Sequence, residues 1–100
     1  MSRDDVRRYL VTYDVAQDRR RTRLAKELEH YGDRIQYSVF LFDVSPAAML
    51  RLKTEILDLV DVGEDSVLIC DLGLKSEVSD KNFQYLGVER PITDDSVMIF

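Results

Sequence analysis

Two segments with helical periodicity alternate with three segments rich in β-branched and aromatic residues, and this order leaves few folds open to the chain. Residues 8–14, RYLVTYD, are apolar on both alternating faces, which is typical of a central strand. Residues 34–44, RIQYSVFLFDV, and residues 66–72, SVLICDL, are also strand-like. The 34–44 segment is long for one strand, so we expect a bulge or kink in it, or two short strands.

The two helical segments lie between these strands. Asp18 is a suitable N-cap for a helix over about 19–31, which Gly32 would end. Ser45 and Pro46 form an N-cap and first-turn pair for a second helix over about 46–60, followed by Gly63. Apolar residues at helical spacing predict two buried stripes: Leu24, Ala25, Leu28 and Tyr31 in the first helix, and Met49, Leu52, Ile56, Leu59 and Val60 in the second.

This order predicts an α+β fold of the ferredoxin-like β-α-β-β-α-β type, with both helices on one face of an antiparallel sheet and a single domain over residues 1–100. The other face then lacks cover, although the strands are apolar on both faces. The chain also ends in SVMIF, residues 96–100, an apolar strand-like segment without charges to protect an edge. We expect a homodimer in which this extra C-terminal strand pairs with the partner; the alternative is pairing within its own sheet.

Charge and hydropathy exclude two classes of protein. The net charge of −5 argues against a protein that coats nucleic acid nonspecifically, although residues 1–34 carry nine basic against seven acidic side chains and could form a local basic patch. No apolar run is long enough to span a bilayer and the N-terminal segment is charged, so we expect a cytoplasmic chain without a membrane partner. Cys70 lies in an apolar run and is expected to be a buried structural thiol.

Asp14 ends the first strand, at the end of the sheet where open α/β sheets usually bind ligands. An unpaired carboxylate is costly to bury, so Asp14 needs a metal ion, backbone N–H groups or an arginine as partner. If it binds Mg²⁺, a second carboxylate from a partner chain across a two-fold axis would complete the site. The alternative is that Asp14 caps the following loop or pairs with a nearby arginine.

Four arginines open the first helix. Arg21 falls on the apolar stripe and must therefore reach an anion at the start of the helix, whereas Arg19 and Arg23 point the opposite way and Arg20 flanks them. We expect these four side chains to bind nucleic-acid phosphates, because guanidinium groups match phosphate oxygens. The alternative is a solvated helix face in which Arg23 pairs with Glu27.

Strict alternation divides residues 34–42 between two faces: Arg34, Gln36, Ser38, Phe40 and Phe42 on one, and Ile35, Tyr37, Val39 and Leu41 on the other. From the residues alone, Phe40 is expected to pack in the core or an interface rather than to act in catalysis. Tyr13 and Tyr37 are expected in the core. His30 is expected on the solvated face of the first helix.

The segments YLVTYDV and DRIQYSVFLFD, with the arginine-rich helix start between them, resemble the CRISPR-associated protein 2 family over about residues 8–72. The resemblance implies a ferredoxin-like homodimer, Mg²⁺-dependent endonuclease activity on RNA or double-stranded DNA in antiviral spacer acquisition, and a CRISPR integrase subunit as partner. It also implies the site residues, which are the metal ligand Asp14 together with Arg21, Arg23, Arg34, Ser38 and Phe40.

The sequence leaves three possible functions to compare. The first is a metal-dependent phosphodiesterase with paired Asp14 carboxylates. The second is a non-catalytic scaffold that bridges integrase subunits and binds DNA through the arginines of the first helix. The third is a generic ferredoxin-like module that binds a small molecule, but the four glycines are scattered and form no phosphate-binding loop.

Overall fold

A computed structural model describes residues 5–88 and has four strands and two helices in the predicted order. Two short 3-10 turns, Lys75–Glu77 and Asp80–Asn82, follow the last strand. The six main elements are β1 (Arg7–Asp14), α1 (Asp18–Glu29), β2 (Gly32–Gln36), β3 (Val39–Val44), α2 (Pro46–Leu59) and β4 (Ser66–Leu74).

The strands form one sheet in the order β2-β3-β1-β4, and every neighbouring pair is antiparallel. Both helices pack on one face, so the ferredoxin-like α+β arrangement is confirmed for the described residues. The predicted terminal strand at 96–100 lies outside them. No helix within residues 5–88 combines the length and hydropathy that a membrane crossing requires.

The core lies between the helices and one face of the sheet, because apolar side chains alternate along β1 and β3 and recur at helical spacing in α1 and α2. Tyr13 belongs to this core, as predicted. The fully or nearly fully buried members from the four elements are Tyr9, Val11, Tyr13, Phe40, Phe42, Leu24, Ala25, Leu28, Met49, Leu52 and Ile56.

The helix ends differ in part from the predictions. Ser45 caps α2 by accepting the N–H of Ala48 at 3.1 Å, as expected. The predicted cap of α1 was wrong: Gln17 is the N-cap, and Asp18 is the first helical residue. Gly32 does not end α1 either. It begins β2, where its backbone approaches β3 so closely that no Cβ would fit.

The 34–44 segment forms two short strands, which confirms that expectation, with a turn at residues 37–38. The pairing register shifts between Arg34 and Gln36, so the predicted alternation was wrong at Gln36, whereas Phe40 and Phe42 share the helix-side face with Arg34 as predicted. Arg34 pairs with Phe40 on the helix-side face, whereas Gln36 pairs with Val39 on the opposite face. The bulge therefore separates two polar side chains that strict alternation would put together.

The second face of the sheet is only partly uncovered. Residues 83–85 cross it and lie beside residues of β1, β2 and β3. The outer strand β4 stays open on this face: the Leu68 side chain is 60% exposed, and Cys70 is exposed. The prediction of a buried thiol was wrong because β4 is an edge strand, and Cys70 points away from the helices.

A buried arginine fixes the chain that follows β4. The Arg8 guanidinium donates to both oxygens of the Asp43 carboxylate, at 2.7 and 2.9 Å, and to Asp80 at 2.7 Å. Its centre also lies 6.0 Å from the centroid of the Phe83 ring. The Arg8 side chain is 2% exposed, so this charge is tolerated only because both carboxylates reach it.

Candidate nucleic-acid and metal site

Asp14 is the last residue of β1 and is exposed. It pairs with Ser66 at the start of β4, and its side chain alternates with that of Tyr13, so it points to the face without helices. Within residues 5–88 no hydrogen-bond donor or cation pairs with its carboxylate. Neither a loop cap nor an arginine pair is therefore found there, and the carboxylate is free to bind a cation.

Arg21 lies at the start of α1. It does not contact Asp14 but binds the loop that precedes the helix. Its Nη1 donates to the backbone oxygens of Val15 at 2.8 Å and Ala16 at 3.2 Å. Its Nη2 contacts the Asp18 carboxylate, and this hydrogen bond raises the pKa of Arg21. Arg21 was expected to reach an anion at the helix start, and that anion is the Asp18 carboxylate. The backbone oxygens of Val15 and Ala16 accept its other hydrogen bonds.

Arg20 connects α1 to the loop between α2 and β4. It donates from Nε to Asp65 at 2.7 Å and from Nη2 at 3.1 Å, and Glu64 lies 3.4 Å from the same Nη2. The hydrogen bond from Arg20 also lowers the pKa of the Asp65 carboxyl group. Most donors of this guanidinium are thus engaged within the chain, which leaves few for a phosphate.

Arg19 and Arg23 are exposed on the outer face of α1. In the part of the chain that the structure describes, neither guanidinium pairs with a carboxylate, and the alternative contact between Arg23 and Glu27 is not formed. His30 is exposed nearby, as predicted, with its Nδ1 3.8 Å from Glu27. The two free guanidinium groups are therefore available for an external anion.

Phe40 and Ser38 hold the turn between β2 and β3 against β1. Phe40 is fully buried in the helix-side core, where its ring packs against Tyr13 at a centroid distance of 6.4 Å. The backbone oxygen of Ser38 accepts the N–H of Tyr13 at 3.2 Å. Phe40 cannot touch a ligand from this position, so its contribution is limited to supporting the residues around it.

Arg34 extends from β2 over two aromatic rings. Its guanidinium carbon lies 5.3 Å from the centroid of the Phe40 ring and 5.9 Å from that of Tyr37. Its Nη2 lies 3.5 Å from the hydroxyl oxygen of Tyr13. The prediction that Tyr37 is buried was wrong, because the side chain lies in the tight turn and is 71% exposed.

The predicted residues thus form two groups at one end of the sheet. Arg21, Arg34 and Tyr37 lie in the layer of the helices, where Tyr37 also interacts with Arg21. Asp14 faces the opposite side of the sheet. Among the described residues, no three His, Cys, Asp or Glu side chains come together as a metal site. The described residues of one chain therefore do not complete a metal site around Asp14.

Comparison with known proteins identifies the family. The family model described as CRISPR associated protein Cas2 matches residues 7–79. The chain belongs to the Cas2 family. This match contains the segments on which the predicted resemblance rests, and it includes Asp14, the arginines of α1 and the turn at residues 37–38.

Two relatives and one solved structure illustrate the similarity to Cas2. A CRISPR-associated endoribonuclease Cas2 of Geobacter sulfurreducens is 36% identical over 91% of this chain and 96% of its own length. A second, from Rhodospirillum rubrum, is 36% identical over 69% of this chain, and the match spans only 56% of that relative. The crystal structure of Streptococcus pyogenes Cas2 at pH 6.5 superposes with a TM-score of 0.70 and 32% identity, covering 80% of this chain and 99% of that chain.

Proposed function

We propose that this Cas2 chain is a metal-dependent endonuclease that hydrolyses phosphodiester bonds in RNA, double-stranded DNA or both. The observation that carries the proposal is the free, exposed Asp14 carboxylate at the end of β1 in a chain whose relatives are named endoribonucleases. A carboxylate that the fold does not use for its own stability is available for a cation.

Asp14 would hold a divalent cation, for which we propose Mg²⁺. Carboxylate oxygen is the ligand type that Mg²⁺ takes from proteins, usually one or two per ion with water in the remaining positions. When bound, such an ion lowers the pKa of a coordinated water and polarises the phosphoryl oxygen. A site built on Asp14 fits this requirement best if a second chain supplies another carboxylate.

We propose that the second carboxylate comes from Asp14 of a second copy in a homodimer. Two features support this arrangement: Asp14 points to the face without helices, and the exposed Leu68 and Cys70 lie on that face of the edge strand β4. An isologous contact over this face would bring two identical residues toward one axis. Residues 96–100 would then pair as a strand with the partner.

The predicted arginines would bind the substrate backbone or position the loop beside it. Arg19 and Arg23 have guanidinium groups free for phosphate oxygens, and Arg34 is exposed at the same end of the sheet. Arg21 holds the loop that follows Asp14, through its hydrogen bonds to Val15 and Ala16. We assign Arg21 to positioning of that loop, whereas Arg19 and Arg23 would contact phosphate.

The test is cleavage of single-stranded RNA and of duplex DNA, with and without Mg²⁺, over a series of pH values. The Asp14→Asn variant keeps the size of the side chain but removes its charge, so we expect at least a 100-fold loss of the Mg²⁺-dependent rate, on the order of other catalytic contributions. Asp58→Asn is the matched control, because Asp58 is an exposed carboxylate on α2. Equal rates for Asp14→Asn and wild type would refute the proposal.

A heterodimer tests whether the site is shared. One wild-type protomer is co-purified with one Asp14→Asn protomer by using two different tags. A site that needs both carboxylates would give the heterodimer much less than half of the wild-type rate. A rate near one half would mean that each protomer works alone.

A DNA-binding scaffold between CRISPR integrase subunits is the second candidate. The free Arg19 and Arg23 favour it, because phosphate binding by these side chains does not require Asp14. In that case the Asp14→Asn variant would bind duplex DNA and the integrase subunit as tightly as wild type does. The same variant thus separates the two functions.

A further inference from the structure

Tyr37 is a large aromatic side chain that the fold leaves open to solvent. It is 71% exposed in the turn between β2 and β3, whereas Tyr9 and Tyr13 of the same sheet are each 6% exposed. An aromatic ring that is this exposed can contact a ligand without giving up contacts in the core. The Tyr37 ring is therefore accessible to a ligand.

The turn that carries Tyr37 is held rigidly beside the end of β1. Tyr13, the residue before Asp14, donates its backbone N–H to Ser38 at 3.2 Å. Its hydroxyl group lies 3.5 Å from the backbone oxygen of Tyr37. The backbone of Tyr37 is thus fixed next to the residue that precedes the candidate metal ligand, while its side chain stays exposed and interacts with Arg21 and Arg34.

A cation and an open space adjoin the ring. The Arg34 guanidinium carbon lies 5.9 Å from the ring centroid. An open cavity of about 550 Å³ lies along the turn and is lined by Gln36, Tyr37, Ser38, Val39 and Val88. Its volume is within the range of small-molecule sites, which is about 300–1,000 Å³. The cavity is large enough for one nucleotide.

We propose that Tyr37 and Arg34 form a stacking platform for one unpaired base of a single-stranded nucleic acid. Aromatic rings and guanidinium planes are the two surfaces on which proteins stack splayed bases. A base in a duplex is already stacked on its neighbours, so this platform selects single strands over duplexes. The inference rests on the proposed nuclease function and deepens it: the turn that carries Tyr37 is bonded to Tyr13, the residue before Asp14, so the platform would hold the strand at the same end of the sheet as the candidate metal ligand.

The test measures stacking directly and without cleavage. A single-stranded RNA that contains one 2-aminopurine is titrated with the full chain in the presence of EDTA, and both the affinity and the fluorescence are recorded. We expect wild-type protein to quench the fluorescence when the modified base occupies the platform. Tyr37→Leu keeps apolar bulk but removes the ring, so it should bind about tenfold more weakly and lose the quenching. Tyr37→Trp should retain both.

Duplex DNA and oligomeric state are the controls. Affinity for a duplex should change less than twofold in Tyr37→Leu, because the duplex offers no free base. Unchanged affinity and quenching for single-stranded RNA in this variant would overturn the proposal. An equal loss of affinity for single strands and for duplexes would also overturn it. A change in oligomeric state of the Tyr37→Leu variant, measured by light scattering, would overturn it as well, because the ring would then serve a protein contact. If the proposed nuclease function alone were wrong, the wild-type protein would still bind single-stranded RNA and quench its fluorescence but would not cleave it.

Discussion

The Arg20 guanidinium holds both oxygens of the Asp65 carboxylate, from Nε at 2.7 Å and from Nη2 at 3.1 Å. The Asp65 side chain is completely covered, and its Oδ2 also accepts the backbone N–H of Asp61 at 2.8 Å. This bidentate pair joins the first turn of α1 to the loop that leads into β4. Arg19 and Arg23, the neighbours of Arg20 on the helix, make no such pair with a carboxylate within residues 5–88.

Nucleic-acid binding should therefore depend on Arg19 and Arg23 more than on Arg20. Each phosphate contact in a single strand releases counterions and adds about 0.7 to the slope of log K against log[salt]. We expect the double variant Arg19→Ala, Arg23→Ala to lower that slope by about 1.4, measured by fluorescence anisotropy with a single-stranded oligonucleotide at several salt concentrations.

Arg20→Ala is the matched control for this measurement. It removes the same charge from the same helix turn, but from a guanidinium that already serves Asp65. We expect its salt slope to stay near the wild-type value and its thermal midpoint to fall. A drop in slope of about 0.7 for Arg20→Ala, the value expected for one lost phosphate contact, would contradict the division of roles.

The buried Arg8 should control how firmly the chain after β4 is attached to the sheet. Arg8→Ala leaves the Asp43 carboxylate without its bidentate partner and releases Asp80. Breaking a buried ion pair costs about 3–5 kcal/mol, and the value here should be near 3 because Asp80 is more than half exposed. Urea denaturation measures this loss, and hydrogen exchange should rise over residues 75–83.

Arg7→Ala provides the comparison. Arg7 is the preceding residue and pairs with Asp71, but both side chains are well exposed, so the loss should be below about 1 kcal/mol. Exchange at residues 75–83 should not change in this variant. If Arg7→Ala and Arg8→Ala were equally destabilised, burial of Arg8 would not be the reason for its importance.

The features that could be predicted from the sequence are those that depend on nearby residues. The cap by Ser45 and the stripe of Leu24, Ala25 and Leu28 follow from positions within one or two helical turns. The order of strands and helices along the chain follows from the alternation of their periodicities. The position of Asp14 at the end of β1 was also predicted, because the end of an apolar strand is itself a local pattern.

The features that were missed depend on pairing between distant segments. The partner of Arg20 lies 45 positions away, and those of Arg8 lie 35 and 72 positions away, so neither role is visible in local sequence. Cys70 lies in an apolar run and Tyr37 lies in a strand-like segment, and both were predicted to be buried. Their exposure results from a tight turn in one case and from an edge strand in the other, and both are decided by the register of the sheet.

Gly32 should be essential because of its distance from β3 and not because of any role in ending α1. A Cβ at this position would lie 2.1 Å from the backbone oxygen of Leu41 and 2.4 Å from Cδ1 of Phe42, so Gly32→Ala must push β2 away from β3. We expect a loss of about 2–4 kcal/mol in urea denaturation, as for severe overpacking. Gly63→Ala is the control, since its Cβ would meet only the Asp61 carboxylate at 3.3 Å. A loss below about 1 kcal/mol for Gly32→Ala would contradict the close strand approach.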